Sequence, residues 1–326
     1  MPAAASPAVA GAAPLLDGPA DFELWERELA AAICTHPVRL RGEVHHINPV
    51  TGEAREVYST DDEPTSVLLK PCGTRRAAIC PACAERYRRD AYHLLAAGLR
   101  GGKSVPASVA AHPRLFVTLT APSFGPVHAR RDKAGRVLPC RPRRHARPCP
   151  HGRPTECRLR HRPDDPRIGQ PLCGRCYQYP AHVLWNALAP ELWRRTRIYL
   201  DRAIAQLAGL TVAELRGLVR VEYAKVAEYQ ARGVIHYHAV IRLDAQAPQG
   251  LIQPPPTPFT AELLETAIRH AAATVTAPVP GTRRLVVRWG TELRADHITS
   301  GATGPLSAEL VAGYIAKYAT KATETF

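Results

Sequence analysis

The sequence G-V-I-H-Y-H-A-V-I-R-L-D at residues 233–244 predicts a β-strand with one face against a hydrophobic core. One face of this strand can meet a core, and its side chains are Ile235, Tyr237, Ala239, Ile241 and Leu243. His236 and His238 share the opposite face, because side chains two positions apart in a strand point the same way. Two imidazoles placed in this way can bind one cation, or they can be strand histidines that bind nothing.

The residues before this strand predict a β-hairpin that adds a carboxylate to the histidine pair. A second predicted strand covers 219–230, and Ala231-Arg232-Gly233 forms a three-residue loop with glycine last, a common hairpin arrangement. Counting back across that loop pairs Glu228 with His236, and cross-strand partners share a sheet face. A two-residue loop would instead bring Tyr229 to this position.

A predicted helix from about Ser307 to Thr320 carries two tyrosines. Tyr314 and Tyr318 lie four residues apart, and each is followed three positions later by a lysine, Lys317 and Lys321. Residues at this spacing share one helical face. A phenol needs activation to act as a nucleophile, and an ammonium can bind phosphate. The alternative is an amphipathic helix with half-buried tyrosines and solvated lysines.

Composition restricts the class of protein. The chain has 326 residues, of which 45% are hydrophobic, so it can bury a sizeable core and is not disordered throughout. No apolar run is long enough to cross a bilayer, and the alanine-rich start has no basic segment typical of a secretory signal. We therefore expect a cytoplasmic protein with no membrane partner. A net charge of +14 favours nucleic acid as the partner.

Further segments outline an α+β chain with an irregular front. The remaining predicted helices cover 21–32, 84–100, 183–207 with a possible kink at Pro190, and 260–273, and the remaining predicted strands cover 114–120 and 284–289. The expected organisation is a disordered tail at 1–20, a first cysteine-rich module at 21–110, and a domain at 111–326 that contains a basic cysteine-rich insertion at 128–180.

Nine cysteines, several in C-x-x-C pairs, indicate metal binding rather than disulfides in a reducing compartment. The alternative is a set of ordinary reduced thiols. We expect two structural zinc ions, because zinc takes four thiolates or imidazoles. The first expected ligand set is Cys34, Cys72, Cys80 and Cys83.

The second expected zinc set contains Cys173 and Cys176 and two ligands chosen from a larger group. Cys140, Cys149, Cys157, His151 and His161 compete for these two places. Cys149 and Cys157 are favoured because they repeat the spacing of Cys72 and Cys80, with Cys140 as the alternative.

The cysteines of the insertion lie in the most basic part of the chain. Residues 128–162 hold twelve arginines and lysines against two acidic residues. We expect this segment to bind phosphates without sequence preference, although a solvated basic loop would have the same composition. The expected DNA-binding arginines are Arg141, Arg143, Arg144 and Arg147.

Three of these segments together resemble the motifs of a known group. F-V-T-L-T at 116–120, H-Y-H at 236–238 and the Tyr/Lys helix at 314–321 follow the order of the motifs in rolling-circle replication initiators, the HUH endonucleases. The doubled tyrosine resembles their two-tyrosine branch. With the cysteine-rich front included, the pattern is similar to the RepSA-type initiators of actinobacterial plasmids and integrative elements.

The resemblance implies a fold and a reaction. The fold is a central antiparallel sheet of ferredoxin- or RRM-like type, with the first motif and H-Y-H on adjacent strands and the tyrosine helix beside them. The implied reaction is the nicking of single-stranded DNA at an origin. It forms a 5′-phosphotyrosine and frees a 3′-OH that primes synthesis, and the strand is rejoined later. His236, His238 and Glu228 would bind Mg²⁺ or Mn²⁺, and a host helicase and replication machinery are the expected partners.

Two other functions remain open on the sequence alone. One is a zinc-dependent nucleic-acid-binding regulator without catalysis, and the other is a relaxase- or transposase-type nuclease with the same chemistry on different DNA ends. Initiators of this type generally continue further than Phe326, so we expect a fragment or a truncated product.

Overall fold

A computed structural model describes residues 29–63, 65–248, 251–282, 284–299 and 306–320. These residues form a mixed α+β structure with small antiparallel sheets and clusters of cysteine and histidine. They divide into two compact units, the first ending at Ala91 and the second beginning at Tyr92. The tail expected at 1–20 and most of the helix expected at 21–32 lie outside the described residues.

The first unit is built from two short β-ribbons around a sulfur-rich cluster. Its elements are β1 (Val38–Leu40), β2 (Glu43–Ile47), β3 (Ala54–Ser59), β4 (Leu68–Lys70), a 3-10 turn (Thr60–Asp62) and the start of α1 (Pro81–Arg100). β1 pairs with β4 and β2 with β3, both antiparallel, and these strands are largely exposed. The buried cluster of this unit consists mainly of cysteine side chains, so apolar packing alone stabilises it little.

The second unit contains the rest of α1 and all later elements. Its strands are β5 (Arg114–Leu119), β6 (Arg131–Lys133), β7 (Arg136–Leu138), β8 (Val219–Tyr229), β9 (Ile235–Ala245), β10 (Ala277–Pro278), β11 (Val286–Val287) and β12 (Leu293–His297). Its helices are α2 (Tyr179–Leu207), α3 (Val212–Leu218), α4 (Ala261–Thr274) and α5 (Ala308–Ala319), with a 3-10 turn at Ala107–Ala111.

A four-stranded antiparallel sheet with the order β12-β5-β9-β8 forms the centre of the second unit. On one face, Leu115, Val117 and Ile241 join a core with α2 and α4. On the other face, Phe116 and Val240 pack with α5 and with the C-terminal half of α1. Complete burial of a large apolar side chain contributes about 1.5–3 kcal/mol. Apolar side chains of β5 and β9 point alternately to the two faces of the sheet, and helices pack on both faces.

Local sequence accounts for the ends of the helices. Thr211 and Glu214 form a capping box at α3, and Thr260 caps α4 by accepting from the Leu263 backbone N–H. The helix expected at 183–207 is found as α2, which continues through Pro190. The free energy gained by burying its core residues, Trp185 among them, offsets the loss of the backbone hydrogen bond that a proline cannot make.

One sheet assignment differs from the sequence prediction. The strand expected at 284–289 is reduced to the two residues of β11, which pair with β10 outside the central sheet. The fourth strand of that sheet is β12, with the sequence L-R-A-D-H. It has no apolar run because only Ala295 of this strand is buried, and the pattern that identifies interior strands is therefore missing. Among the described residues, no helix is long and apolar enough to cross a membrane.

Candidate active site and cysteine–histidine clusters

The hairpin of β8 and β9 has the register that the sequence predicts. Gln230 and Val234 close it through a backbone hydrogen bond of 2.9 Å, and Gly233 has a φ of +73°, which favours glycine. Glu228 is the register partner of His236, and Thr118 on β5 is the partner of His238. These side chains consequently lie on the sheet face that α5 covers.

Glu228, His236 and His238 bring three ligand atoms to one point. Glu228 Oε2 lies 3.0 Å from His236 Nε2 and 3.4 Å from His238 Nε2. The two Nε2 atoms are 3.1 Å apart. Two imidazoles and one carboxylate suit a divalent cation such as Mn²⁺, and three protein ligands leave positions open for substrate oxygens. The donor set therefore fits the cation expected from the sequence.

Thr118 orients one of the two imidazoles. Its Oγ1 lies 3.0 Å from His238 Nδ1, and when Nδ1–H donates to it, Nε2 directs its lone pair at the shared point. Phe116 stacks on the same ring with 5.7 Å between centroids. The motif F-V-T-L-T indicates a strand, but on its own it assigns Thr118 no role. The sign that could have identified it is its position two residues after Phe116, on the face of the histidines.

α5 brings Tyr314 directly to the histidines. Its hydroxyl lies 3.0 Å from His238 Nε2, and its ring packs edge-on against Phe116. Tyr318, one turn later, has its ring centroid 4.5 Å from that of Tyr314 and 6.0 Å from that of His238. Both phenols thus face the carboxylate–histidine cluster, with Tyr314 the nearer.

Burial sets the electrostatics of this site. Burial, together with the nearby His236, lowers the pKa of His238 to about 4, so its ring is neutral at physiological pH and free to act as a ligand. Burial and the hydrogen-bonded Tyr318 raise the pKa of Tyr314 above its usual value. A neutral ligand and a phenol that resists ionisation both suit a site completed by a positive charge.

Two lysines follow the tyrosines, Lys317 and Lys321. Lys317 is exposed, and its Nζ lies 5.9 Å from the centroid of the Tyr318 ring. Lys321 lies outside the described residues.

Cys34, Cys72, Cys80 and Cys83 form the group expected in the first unit, with all four Sγ atoms within 4.8 Å of one another. Cys34 Sγ lies 3.7 Å from Cys83 Sγ and 3.9 Å from Cys80 Sγ. Hydrogen bonds from Thr35 and from the Cys83 backbone lower the pKa of Cys80, whereas burial and the neighbouring thiols raise the pKa of Cys83. The thiolate form is therefore favoured at Cys80 and disfavoured at Cys83 within the same group.

The expected pairing of Cys149 with Cys157 is wrong. The structure groups Cys149, Cys173 and Cys176 with His151, whose Nδ1 lies 3.2 Å from Cys176 Sγ. Cys157 lies elsewhere because its backbone pairs with that of Arg141, which brings it beside Cys140. Cys149 and Cys157 therefore do not share a ligand group, although seven residues separate them as they separate Cys72 from Cys80.

A third group accounts for the cysteines displaced from that pairing. Cys140 and Cys157 join His128 and His161, again with ligand atoms within 4.8 Å of one another. His161 was one of several competing candidates in the sequence, whereas His128 was not considered. The Cys157-x-x-x-His161 spacing could have indicated a separate site.

The expected DNA-binding arginines occupy two environments. Arg143, Arg144 and Arg147 are exposed. Arg141 is half-buried, donates from Nε to the Val127 carbonyl at 2.9 Å, and lines a cavity of about 800 Å³. Arg130, Arg232 and Arg288 line the same cavity, which makes it strongly basic.

These features define an α+β protein with a carboxylate–histidine–tyrosine site on its central sheet and three cysteine-containing clusters. The family model for RepSA, described as "Replication initiator protein, pSAM2", matches residues 21–326, and the chain belongs to this family. It is 42% identical over 313 residues to a curated replication initiator protein of Streptomyces ambofaciens. That match covers 93% of the chain but 64% of the relative, so the chain spans less than two thirds of the relative's length. No solved structure matches the chain.

Proposed function

We propose that the chain is a metal-dependent single-stranded DNA nickase and ligase of the HUH class that initiates rolling-circle replication of a plasmid or integrative element. The observation that carries this proposal is the 3.0 Å approach of the Tyr314 hydroxyl to His238 Nε2, beside Glu228 and His236. Support also comes from the antiparallel sheet, in which β5 and β9 are neighbours as in the expected ferredoxin- or RRM-like domain. Membership of a family described as replication initiators points to the same biological role.

Glu228, His236 and His238 would hold Mg²⁺ or Mn²⁺. Such a cation polarises the scissile phosphate and offsets the charge that develops on its oxygens. Thr118 keeps the ring of His238 in the orientation that ligation needs. Because His238 stays neutral well below physiological pH, protons do not compete with the cation there.

Tyr314 is the proposed nucleophile for the first cleavage. Its phenolic oxygen forms a bond to phosphorus while the bond from phosphorus to the 3′ oxygen breaks. The phenolic proton is lost and the leaving oxygen gains one, which leaves a 5′-phosphotyrosine and a free 3′-OH. Since the phosphotyrosine conserves the energy of the phosphodiester, attack by a 3′-OH rejoins the strand without ATP.

Tyr318 is the proposed second nucleophile. Its ring stacks beside that of Tyr314 on the same helical face, so it can reach the same phosphate after one round of synthesis. Attack by Tyr318 on the regenerated origin would release a circular strand. Lys317 and Lys321 would steady the phosphate or the phenolate.

The basic and cysteine-rich parts would hold the DNA. Zinc bound by Cys34, Cys72, Cys80 and Cys83, and by the corrected second set of Cys149, His151, Cys173 and Cys176, would stabilise segments with little apolar core. Arg141, Arg143, Arg144 and Arg147 would contact phosphates. The reaction belongs in the cytoplasm, with host helicase and polymerase acting on the exposed strand and primer.

The test is formation of a covalent adduct. The protein is incubated with Mn²⁺ and labelled single-stranded oligonucleotides that tile the replication region of the element, and then denatured. An adduct that survives denaturation supports the proposal, and a His236→Ala/His238→Ala variant should form none. The matched control is His93→Ala/His270→Ala, which removes two exposed helical histidines of the same unit.

Two results would overturn the proposal. One is an adduct at the wild-type level in the His236→Ala/His238→Ala variant, which would remove the metal assignment. The other is the absence of an adduct with every oligonucleotide, together with tight DNA binding. In that case the protein is a zinc-dependent DNA-binding regulator without catalysis.

A further inference from the structure

The basic insertion contains a largely buried group of two cysteines and two histidines that lies outside the two zinc sites proposed above. His128, Cys140, Cys157 and His161 each direct one ligand atom to a common point. We propose that this group is a third structural zinc site with Cys₂His₂ ligands. It is independent of the catalytic proposal, since none of its residues belongs to the site on the central sheet.

Two of the distances between ligand atoms match the edges of a zinc tetrahedron. Bond lengths of about 2.0–2.1 Å to nitrogen and about 2.3 Å to sulfur require roughly 3.3–3.4 Å between two nitrogens and roughly 3.5–3.6 Å between nitrogen and sulfur. His128 Nδ1 lies 3.3 Å from His161 Nε2. Cys157 Sγ lies 3.5 Å from the same nitrogen. Both edges therefore match the geometry of a bound zinc ion.

An acidic side chain supports His161 from behind, as in many zinc sites. His161 Nδ1 lies 2.7 Å from Asp165 Oδ2, and Asp165 is itself held by Arg167 Nη2 at 2.7 Å. A carboxylate that accepts from Nδ1–H fixes the tautomer in which Nε2 is a ligand. The side chain of His161 is fully buried, so its ring is oriented by protein contacts such as the one to Asp165 and not by solvent.

Backbone hydrogen bonds fix the positions of the two sulfurs. Cys140 Sγ accepts from the Ala129 backbone N–H at 3.2 Å, and Cys140 and Cys157 are both buried. Their backbones are tied by hydrogen bonds of Arg141 to Cys157, at 2.7 Å and 3.0 Å. The three clusters use four, two and three cysteines, so together they include all nine cysteines of the chain.

The site would fix one wall of the basic cavity. His128, Ala129 and Arg130 line the cavity of about 800 Å³, as does Arg141, which follows Cys140. Arg130 also donates from Nη1 to the carbonyl oxygen of His161 at 3.2 Å. A zinc ion here would hold two arginine-bearing segments together where few apolar contacts do so.

The first test is zinc stoichiometry, measured by native mass spectrometry and elemental analysis of the full chain. We expect three zinc ions in the wild type and two in Cys140→Ser/Cys157→Ser. The matched control His145→Ala removes an exposed histidine of the same segment and should retain three. A zinc count in the cysteine variant equal to that of the wild type, whatever the wild-type total, would overturn the proposal.

A second test does not depend on the folding of the cysteine variant. His161→Cys keeps a ligand at the site, so it should retain three metal ions, and after Co²⁺ replacement it should gain thiolate charge-transfer absorbance. Asp165→Asn should bind one zinc ion about 10-fold or more weakly than the wild type does, as is usual when the partner of a ligating histidine is removed. The measurement is competition for zinc with a chromophoric chelator. Asp164→Asn is the control. A His161→Cys spectrum identical to that of the wild type, or wild-type zinc affinity in Asp165→Asn, would refute the site.

Discussion

The hydroxyl of Tyr314 lies 3.0 Å from Nε2 of His238, although 76 positions separate the two residues in the chain. This approach depends on three elements: β9 supplies His238, β5 holds it through Thr118, and α5 covers the same sheet face. The contact joins the expected nucleophile to the expected cation ligands in one site.

Tyr314→Phe should reduce adduct formation below about 1% of the wild-type level, because it removes the oxygen that bonds to phosphorus. Tyr318→Phe should still form the first adduct. Both are measured with labelled oligonucleotide on denaturing gels, followed by peptide mapping of the adduct. An adduct that maps to Tyr318 in the wild type would reverse the proposed order of the two tyrosines.

Glu228→Gln should weaken Mn²⁺ binding about 10-fold or more, since the variant loses a negative charge in a partly buried site. The measurement is an electron paramagnetic resonance titration with Mn²⁺. Glu222→Gln is the control, because Glu222 lies on the same strand and the same face but pairs with Arg220. Equal loss of affinity in both variants would show that the effect is one of general charge.

Thr118→Val should lower Mn²⁺ affinity about 10-fold, the usual effect of removing a partner that orients a ligating histidine. The side chain keeps its shape, so the fold should be retained, as circular dichroism can show. Thr120→Val is the matched control, because Thr120 Oγ1 donates to the Glu292 carbonyl instead. Wild-type affinity in Thr118→Val would mean that the strand alone positions His238.

The ring of His238 should titrate with a midpoint near pH 4 in protein without added Mg²⁺ or Mn²⁺, well below the ordinary value of 6.5. The folded state disfavours the proton, so the unfolded chain takes up more protons between these two values. The free energy of unfolding should therefore fall as the pH drops through this window. Histidine-labelled protein followed by NMR, with His238→Gln for assignment, measures the midpoint. A midpoint near 6.5 would contradict the burial argument.

Replacement of Arg143, Arg144 and Arg147 by alanine should weaken binding of single-stranded DNA and flatten its salt dependence. Each lost phosphate contact lowers the slope of log affinity against log salt by about 0.7. The control is Arg194→Ala/Arg216→Ala/Arg269→Ala, which removes the same charge from arginines paired with carboxylates. Fluorescence anisotropy at several salt concentrations distinguishes the two. An equal change in slope would show that only net charge matters.

The sequence predicted the β8–β9 hairpin and the tyrosine helix well because the rules that govern both are local. A glycine-terminated three-residue loop determines the register of Glu228 and His236, and helical spacing aligns Tyr314 with Tyr318. Each of these relationships spans fewer than about a dozen residues. The convergence of hairpin and helix was expected from the resemblance to HUH proteins and could not be calculated from either segment alone.

The prediction of the second zinc ligand set was wrong because the path of irregular loops decides which cysteines and histidines meet. Cys157 was paired with Cys149 by spacing, but the backbone bridge of Arg141 to Cys157 directs it to Cys140. Sequence spacing predicts a shared metal site when one turn holds both ligands, as it does for Cys173 and Cys176. It does not predict which ligands from separate loops will share a site. β12 was missed for a related reason, since an edge strand with one buried residue has no apolar pattern.

The order of the site's parts along the chain has a consequence during protein synthesis. The hairpin that carries the proposed cation ligands ends at Ala245, whereas the tyrosines arrive only with α5. On the proposed function, a chain that ends between these points would carry Glu228, His236 and His238 but neither tyrosine of α5. Such a product could form no phosphotyrosine link to DNA, so covalent attachment would require synthesis to pass the end of the helix.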